Sequence, residues 1–351
     1  MKRTIVVGDI HGCYNELLTL LEKTGLREDD LLISVGDLVD RGNRSLEVWR
    51  YFMERPNTIT LMGNHERKHL QGVLNYAQEI VKVQMGNDYP HFLAWSMTLP
   101  YYIETEDAII VHAAMEHDVA LHEQRLDVLS GTTAGERFLE KKYGLVKERV
   151  TIGNASECIP EKFWTDFYTG TKPVIYGHSV TGDLPRIVNN TYGIDTGACH
   201  GGYLTAIELP GFIIHQVKVE QDHWKEQRAA WQLPVLKNKD WDNMEIGAIQ
   251  KEIERLAYIA IPAVKEFLED KRSYLELLDL SLGQMIAQLD IFAIAHHNRL
   301  HEYPFKAFLY KSRAGTLSIA DLRKSLNTPA KIKQLQHLLS DSILIGRSHR
   351  Q

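Results

Sequence analysis

The chain has 351 residues, 44% of them hydrophobic and 25% charged, with a formal charge of −6. This is the composition of a folded globular protein and excludes a disordered or fibrous chain; the length allows one large domain or two ordinary ones. The cysteines at positions 13, 158 and 199 form no Cys-x-x-Cys pair and no zinc spacing, which fits a reducing compartment and points to the cytoplasm. The apolar stretch behind Lys2 and Arg3 ends at Gly8-Asp9, too short for a signal peptide. The apolar region from Leu275 to Ile294 is interrupted by Glu276, Asp279 and Asp290. No uninterrupted apolar run reaches the ~18 residues of a membrane span, so no membrane association is expected.

The first predicted element is a buried strand at Thr4-Ile5-Val6-Val7, followed by Gly8-Asp9. Tyr14–Thr24 has helical periodicity and closes at Gly25. Leu31–Val35 is a second strand, again running into Gly-Asp; Ser45 is expected to cap a helix through Phe52; Thr58–Met62 is a third strand, ending in Gly63-Asn64. Residues 67–98 read as irregular helix, and Ala108–Val111 as a strand ending at His112. Residues 115–165 are loop and helix whose order the pattern does not resolve. Val174-Ile175-Tyr176 leads to Gly177-His178, and Leu204–Leu209 with Phe212–Val219 forms a closing hairpin around Pro210-Gly211. The β-loop-α alternation predicts an α/β fold, a layered β-sandwich flanked by helices.

Beyond about residue 222 strand signals vanish. Ile246, Ile249, Ile253, Leu256 and Ile259 follow a helical pattern that breaks or kinks at Pro262, and Tyr274–Ala295 reads as a second amphipathic helix. Shorter helices are expected at Ser318–Leu326, behind a capping stretch, and at Pro329–Leu339. Residues 1–222 therefore read as a catalytic domain and 236–351 as an α-helical C-terminal domain. The charge divides along the same line: −9 over residues 1–235 and +3 over 236–351, with +6 in the last 51. Tyr303, Phe305, Phe308 and Tyr310 interleave with Lys306, Lys311 and Arg313. Such a pattern can stack and neutralise a nucleic-acid strand; its ordinary meaning is a helix packing aromatics on a core with cations outside.

Each strand of the first part ends in a glycine and a ligand-type side chain. In order these are Asp9-Ile10-His11-Gly12, Gly36-Asp37-Leu38-Val39-Asp40-Arg41-Gly42, Gly63-Asn64-His65-Glu66, His112, and Gly177-His178. A single Asp-x-His in a loop is ordinarily polar surface. Five such elements behind five apolar runs converge at the carboxyl ends of the strands, where open α/β sheets bind ligands. Carboxylates, imidazoles and an amide oxygen suit a pair of first-row transition metals, and paired metals clamp the attacking and leaving oxygens of a displacement at phosphorus.

With GDIHG, GDLVDRG, GNHE, VHA and YGH in that order, residues 1 to about 220 resemble the calcineurin-like metallophosphoesterases of the phosphoprotein-phosphatase type. The resemblance implies the metallophosphoesterase fold and phosphoester hydrolysis by a metal-bound hydroxide. It implies Asp9 and His11 as ligands of one metal, Asp37 as the bridge, and Asn64, His112 and His178 as ligands of the second. Arg41 would hold phosphoryl oxygens, and His65 would protonate the leaving oxygen, oriented by Asp40, unless Asp40 is only a structural ion-pair partner. Glu66 is given no catalytic role; it reads as loop surface or an outer hydrogen bond. Two divalent ions are expected, Mn2+ first, with Fe/Zn or Ni as alternatives.

The stretches Trp164–Gly170, Asn189-Asn190-Thr191, Ile194–Gly197 and Gly201–Ala206 narrow the resemblance to bacterial dinucleoside-tetraphosphate hydrolases and to the phosphatase module of bacterial polynucleotide kinase-phosphatases. In those proteins the position of Asp195 lies near the active site; a turn-capping role is the other reading. Two departures stand out: Ser179-Val180 follows Gly177-His178 where Thr-Pro is usual, and Asp166 occupies the position of a second phosphate-clamping arginine of protein phosphatases. Arg125, Arg137, Arg149 and Arg186 remain open as substitutes. The expected substrate is thus nucleotide-type, a dinucleoside polyphosphate or a polynucleotide 2′/3′-phosphate, with a phosphoserine/threonine protein as the alternative.

Overall fold

Alternation of side chains along short apolar strands produces the layering. The computed structural model describes residues 3–145, 147–152, 155–160 and 162–348, the side chains of 147–160 and 343–348 excepted. Its strands are β1 Thr4–Val7, β2 Leu31–Ser34, β3 Thr58–Thr60, β4 Tyr102–Glu104, β5 Ile109–Val111, β6 Lys147–Ile152, β7 Ala155–Pro160, β8 Val174–Tyr176, β9 Arg186–Val188, β10 Thr191–Gly193, β11 Asp195–Thr196, β12 Tyr203–Leu209 and β13 Ile213–Lys218. In β1, Ile5 and Val7 face one way and Val6 the other; in β5, Ile109 and Val111 oppose Ile110; in β8, Val174 and Tyr176 oppose Ile175. Both faces are buried, which is why these strands read as continuous apolar runs rather than alternating ones.

Two sheets result. The first has the order β11-β12-β1-β2-β3, with β13 on the other side of β12; β1, β2 and β3 are parallel and β12 runs antiparallel to β1. The second has the order β4-β5-β8-β10-β9, parallel at its centre and antiparallel at both edges. Val6, Ile33, Val35, Ile110, Ile175 and Ile207 fill the space between the sheets. Helices α1 Tyr14–Thr24, α2 Ser45–Glu54, α3 Asn64–Leu70, α4 Tyr76–Met85 and α5 Tyr89–Ser96 follow β1 to β3, and a core of Leu17, Leu20, Trp49, Phe52, Val81 and Phe92 joins that side. Helices α6 Leu126–Leu129 and α7 Thr133–Tyr143, with Phe163 and Trp164, cover the second sheet. The layered sandwich and its helical flanks are therefore as the pattern predicts.

Several local expectations are corrected. Ser45 is the first helical residue of α2 rather than its cap; its hydroxyl accepts the Asp40 N–H at 3.2 Å instead. The stretch 67–98 is three separate helices, and the first of them already begins at Asn64. The unordered stretch 115–165 contains α6, α7 and the β6–β7 hairpin.

The chain divides into two compact units, Met1–Val235 and Leu236–Gln351. Helix α8, His223–Ala230, belongs to the first, tied by His223 to Glu16 at 2.9 Å and by the Arg228 carbonyl to the Tyr76 hydroxyl at 2.9 Å. A further short helix, α9 Gln232–Asn238, spans the division. The second unit is helical: α10 Ile246–Leu256, α11 Pro262–Ala295, α12 Lys306–Arg313, α13 Ile319–Ser325 and α14 Pro329–Ser348. Pro262 does not kink a helix but starts one, at the first position where its missing N–H costs nothing. The helix expected from Tyr274 is the continuation of this 34-residue α11. By length and composition alone α11 is also apolar enough to cross a membrane, at a mean hydropathy of 1.4 over 18 residues, although Glu276, Asp279 and Asp290 do interrupt its apolar run; a third of that window is buried inside the protein. Of the interleaved aromatics, Phe305 is buried and Tyr303 stacks on it and edges onto Phe292, while Tyr310 is exposed under Arg313.

Candidate metal and phosphate site

The carboxyl ends of β1, β2, β5 and β8 bring the sequence-predicted residues together. Five of them, His11, Asp37, Asp40, Arg41 and His178, have positive φ, out of nine such non-glycine residues among those described. Backbone held in this sparsely populated region is stored strain and gathers at functional sites. Gly177 has no room for a side chain: a Cβ would lie 2.0 Å from Asp9 Oδ1, and one on Gly63 would lie 2.1 Å from Asp37 Oδ1.

Asp37, 2% exposed, is the hub. Its Oδ2 lies 3.6 Å from His11 Nε2 and 3.9 Å from His65 Nε2, and its Oδ1 lies 3.5 Å from His112 Nε2 and accepts the His65 N–H at 3.0 Å. His11 Nδ1 is held by the Val39 carbonyl at 2.9 Å and His112 Nδ1 by that of Val35 at 3.0 Å, so each turns its Nε2 toward Asp37. Asn64 Oδ1 faces His112 Nε2 at 3.2 Å and His178 Nδ1 at 3.1 Å. Asp9 accepts the His178 N–H on both oxygens at 3.0 and 3.1 Å, and Asp195 accepts the Gly197 N–H at 3.0 Å.

Two clusters with ligand atoms within 4.8 Å share the same carboxylate: His11, Asp37 and His65, and Asp37, His112 and His178. A third group is Cys13, Glu16 and His223, and there burial pushes the Cys13 thiol well above its usual range. The electrostatics of the first two fit divalent cations. Burial and then the charges of Asp195 and Asp37 push the Asp9 carboxyl well above the usual carboxylate range. Burial would raise Asp37 too, but the His112, His65, His11 and His178 imidazoles outweigh it and hold Asp37 low. Burial holds His11 far down and His112 down to about 4, so both are neutral donors at physiological pH. Buried carboxylates that repel one another beside neutral imidazoles lack positive charge, and hard-to-borderline cations supply it.

A second line of contacts supports His65. Its Nδ1 lies 2.5 Å from Asp40 Oδ2, whose Oδ1 meets His69 Nε2 at 3.1 Å; His69 Nδ1 in turn meets the Tyr89 hydroxyl at 3.0 Å. Gln78 also donates to Asp40 Oδ2. Burial would raise Asp40, but His69 and His65 hold it well below the carboxylate range. An ionised Asp40 takes the Nδ1–H of His65 and leaves Nε2 facing the site, 3.4 Å from the Arg41 guanidinium.

Four contributors, His69, Gln78, Tyr89 and Glu136, have no place among the expected site residues. His69 lies one turn beyond His65 on α3, a spacing that puts both on one face; that signal was legible. Gln78 and Tyr89 come from α4 and α5 and carry no motif. Glu66 is not loop surface: it is fully buried on α3 and accepts the N–H groups of Asp37 and Leu38, each at 2.9 Å, which realises the outer hydrogen bond and discards the surface reading. Burial and the Asp37 charge push its carboxyl up to about 8. Glu136, on α7, meets His178 Nε2 at 2.7 Å; burial would lower His178, but this bond and the nearby carboxylates leave it raised. Of the open arginines, Arg125 pairs with Asp127 at 2.8 Å, and Arg186 stacks over Phe163 and lies 3.5 Å from Asp166; the side chain of Arg149 is outside the described residues. Asp166 accepts the Phe163 N–H at 2.7 Å within its own turn.

Beside His178 lies a cavity of about 110 Å3, lined among others by Ala114, Gly131, Leu139, Phe163 and Trp164.

The chain is 28% identical over 238 residues to a bis(5′-nucleosyl)-tetraphosphatase PrpE (asymmetrical) of Halalkalibacterium halodurans, covering 58% of this chain and 89% of that protein. It is 29% identical over 236 residues to the protein of that name in a Geobacillus strain, with 58% and 89% covered. A solved structure proposed to be a diadenosine tetraphosphatase aligns with a TM-score of 0.47 and 23% identity, covering 62% of this chain and 93% of that one. The calcineurin-like phosphoesterase family matches residues 2–182. That span exceeds half the chain and contains every residue clustered around Asp37 and Asp40, so the chain belongs to the calcineurin-like phosphoesterases and is a metal-dependent phosphoesterase.

Proposed function

We propose that this protein is a two-metal phosphohydrolase of nucleotide-type substrates, dinucleoside polyphosphates first among them. The observation that carries the two-metal reading is the single buried carboxylate, Asp37, shared by two imidazole clusters. Asp9 and His11 complete one metal position; Asn64, His112 and His178 complete the other. The pair of divalent cations, Mn2+ by preference, supplies Lewis acidity and an activated water.

The chain's own residues do the rest. Arg41, whose planar fork matches phosphoryl oxygens, holds and orients the transferring group. His65 presents Nε2 toward the leaving oxygen and delivers its proton, with Asp40 fixing the tautomer and stabilising the imidazolium. His69 and Gln78 keep Asp40 ionised and immobile. Asp195, close to Asp9, adds negative charge that favours cation binding.

The nucleotide preference rests on the names of the relatives and on the aromatic-walled recess beside His178, which suits an apolar ring. Asp166, engaged with its own turn, provides no second phosphate clamp of the protein-phosphatase kind. Turnover with Mn2+ on dinucleoside tetraphosphate, 2′- and 3′-phosphorylated oligonucleotides and a phosphopeptide tests this reading. The tetraphosphate is expected to have the highest kcat/KM; a phosphopeptide turned over faster than every nucleotide would replace it with protein dephosphorylation. Asp37→Asn should lower kcat by at least about 1,000-fold and abolish saturable Mn2+ binding in calorimetry, and a variant retaining either would remove Asp37 as the bridge.

A further inference from the structure

Helix α11 carries two apolar seams. Leu275, Leu278, Leu282, Met285, Leu289 and Phe292 form the first, spaced by alternating steps of three and four, and are buried against the other helices of their unit. The second is displaced by two residues, hence by about 200° around the helix. It comprises Leu277, Leu280, Gln284, Ala287, Ile291 and Ile294. Its four large members are 64%, 66%, 70% and 75% exposed in that order. A helix whose outward face faces only water should be polar there, and single exposed apolar residues need no explanation, but a heptad-spaced row does.

We propose that this second seam pairs antiparallel with the same seam of a second copy of the chain, making the protein a two-fold dimer through α11. The row is palindromic in position and nearly so in character. About a two-fold axis between residues 285 and 286, Leu277 faces Ile294 of the second copy, Leu280 faces Ile291, and Gln284 faces Ala287. These are the mixed a–d layers of an antiparallel coiled coil. The axis lies beside Gly283 and Ala287, whose small side chains let two backbones approach. In the same register the exposed Glu276 lies opposite His297 of the second copy, Ser281 opposite Gln288, and Gly283 opposite Asp290, so no like charges meet. The seam spans 18 residues, about 26 Å, enough for a continuous two-helix contact. An isologous contact of this kind closes on itself and generates a dimer, not a filament. A lipid surface fits less well: no lysine or arginine lies among residues 273–298 to meet anionic headgroups.

Sedimentation velocity on the full chain across the micromolar range tests the proposal, with Leu280→Glu/Ile291→Glu as the disrupting variant. Both side chains are exposed in a single copy, so the variant should fold, with an unchanged circular dichroism spectrum and unchanged hydrolysis of an aryl phosphate. The wild type should sediment as a dimer, and the variant's dissociation constant should rise by at least about 100-fold. Register is read by oxidative cross-linking: a mixture of Leu280→Cys and Ile291→Cys chains should cross-link, and either alone should not. A monomeric wild type, a dimer that survives the double substitution, or cross-linking of Leu280→Cys alone would overturn the proposal. So would a wild type that stays monomeric but binds phosphatidylglycerol vesicles through these residues, which would assign the seam to a membrane surface.

Discussion

His65 is poised by contacts on both of its nitrogens. Asp40 takes Nδ1, and Nε2 is left beside Arg41. If Nε2 delivers the proton to the leaving oxygen, the value of that proton depends on the leaving group. His65→Ala should therefore reduce kcat/KM by about 100-fold or more on alkyl phosphates and nucleotides, but far less on p-nitrophenyl phosphate, whose leaving phenolate needs little help. Steady-state kinetics on the two substrate classes measures it, and equal losses would assign His65 to metal binding, with His11 and Asp37. Glu66 acts differently. Its two oxygens hold the backbone of the Asp37 loop. Glu66→Ala leaves two buried N–H groups without acceptors, and denaturant unfolding should show a loss of about 2–4 kcal/mol. Glu66→Gln, which keeps one acceptor, should recover part of that. A loss below about 0.5 kcal/mol in the alanine variant would show that water replaces the carboxylate fully.

Strand ends are the elements that convert a one-dimensional motif into a site. The Gly-Asp, Gly-Asn and Gly-His pairs are legible because Gly36, Gly63 and Gly177 stand where the backbone of one loop passes against a ligand side chain of another: His112, Asp37 and Asp9 in turn. Gly177 illustrates it: the contact it permits is with Asp9, 168 residues earlier. Gly177→Ala must displace the Asp9 carboxylate, so its turnover should require a Mn2+ concentration at least about tenfold higher than the wild type, with folding intact. A metal titration of activity decides this, and an unshifted midpoint would show that Asp9 is not needed for metal affinity. The supporting helices are legible only in part. The His65 to His69 spacing can be read from α3, but Gln78 reaches Asp40, and Tyr89 reaches His69, only because α4 and α5 fold back over α3, and no local pattern encodes that return. Likewise Ser45 looks like a helix cap, yet its hydroxyl serves the Asp40 loop, since a buried loop N–H competes for the same acceptor.

At the scale of the whole molecule, the charge division follows the two units. The acidic unit holds the buried Asp9, Asp37, Asp40 and Glu66 at the site, and the helical unit has its own buried core of Leu275, Leu282, Leu289, Leu309 and Leu339. A chain ending at Val235 should accordingly fold and hydrolyse a small aryl phosphate within about threefold of the full-length rate, since every residue around Asp37 lies in the first unit. A folded but inactive truncation would show that residues beyond 235 complete the site.

By itself the sequence determined the family, the strand ends and the ligand types, because each of these is written locally: an apolar run, a turn glycine, and a side chain whose chemistry does not depend on context. Only the tertiary structure decided which groups support them. Asp37 is shared because two sheets bring His11 and His112 to opposite oxygens of one carboxylate. Asp40 is held ionised, against its burial, because α3 turns His65 and His69 onto its two oxygens. The outward face of α11 stands free because its inward face is the one its neighbours cover. Each of these depends on long-range approach and burial, which no single segment of the chain contains.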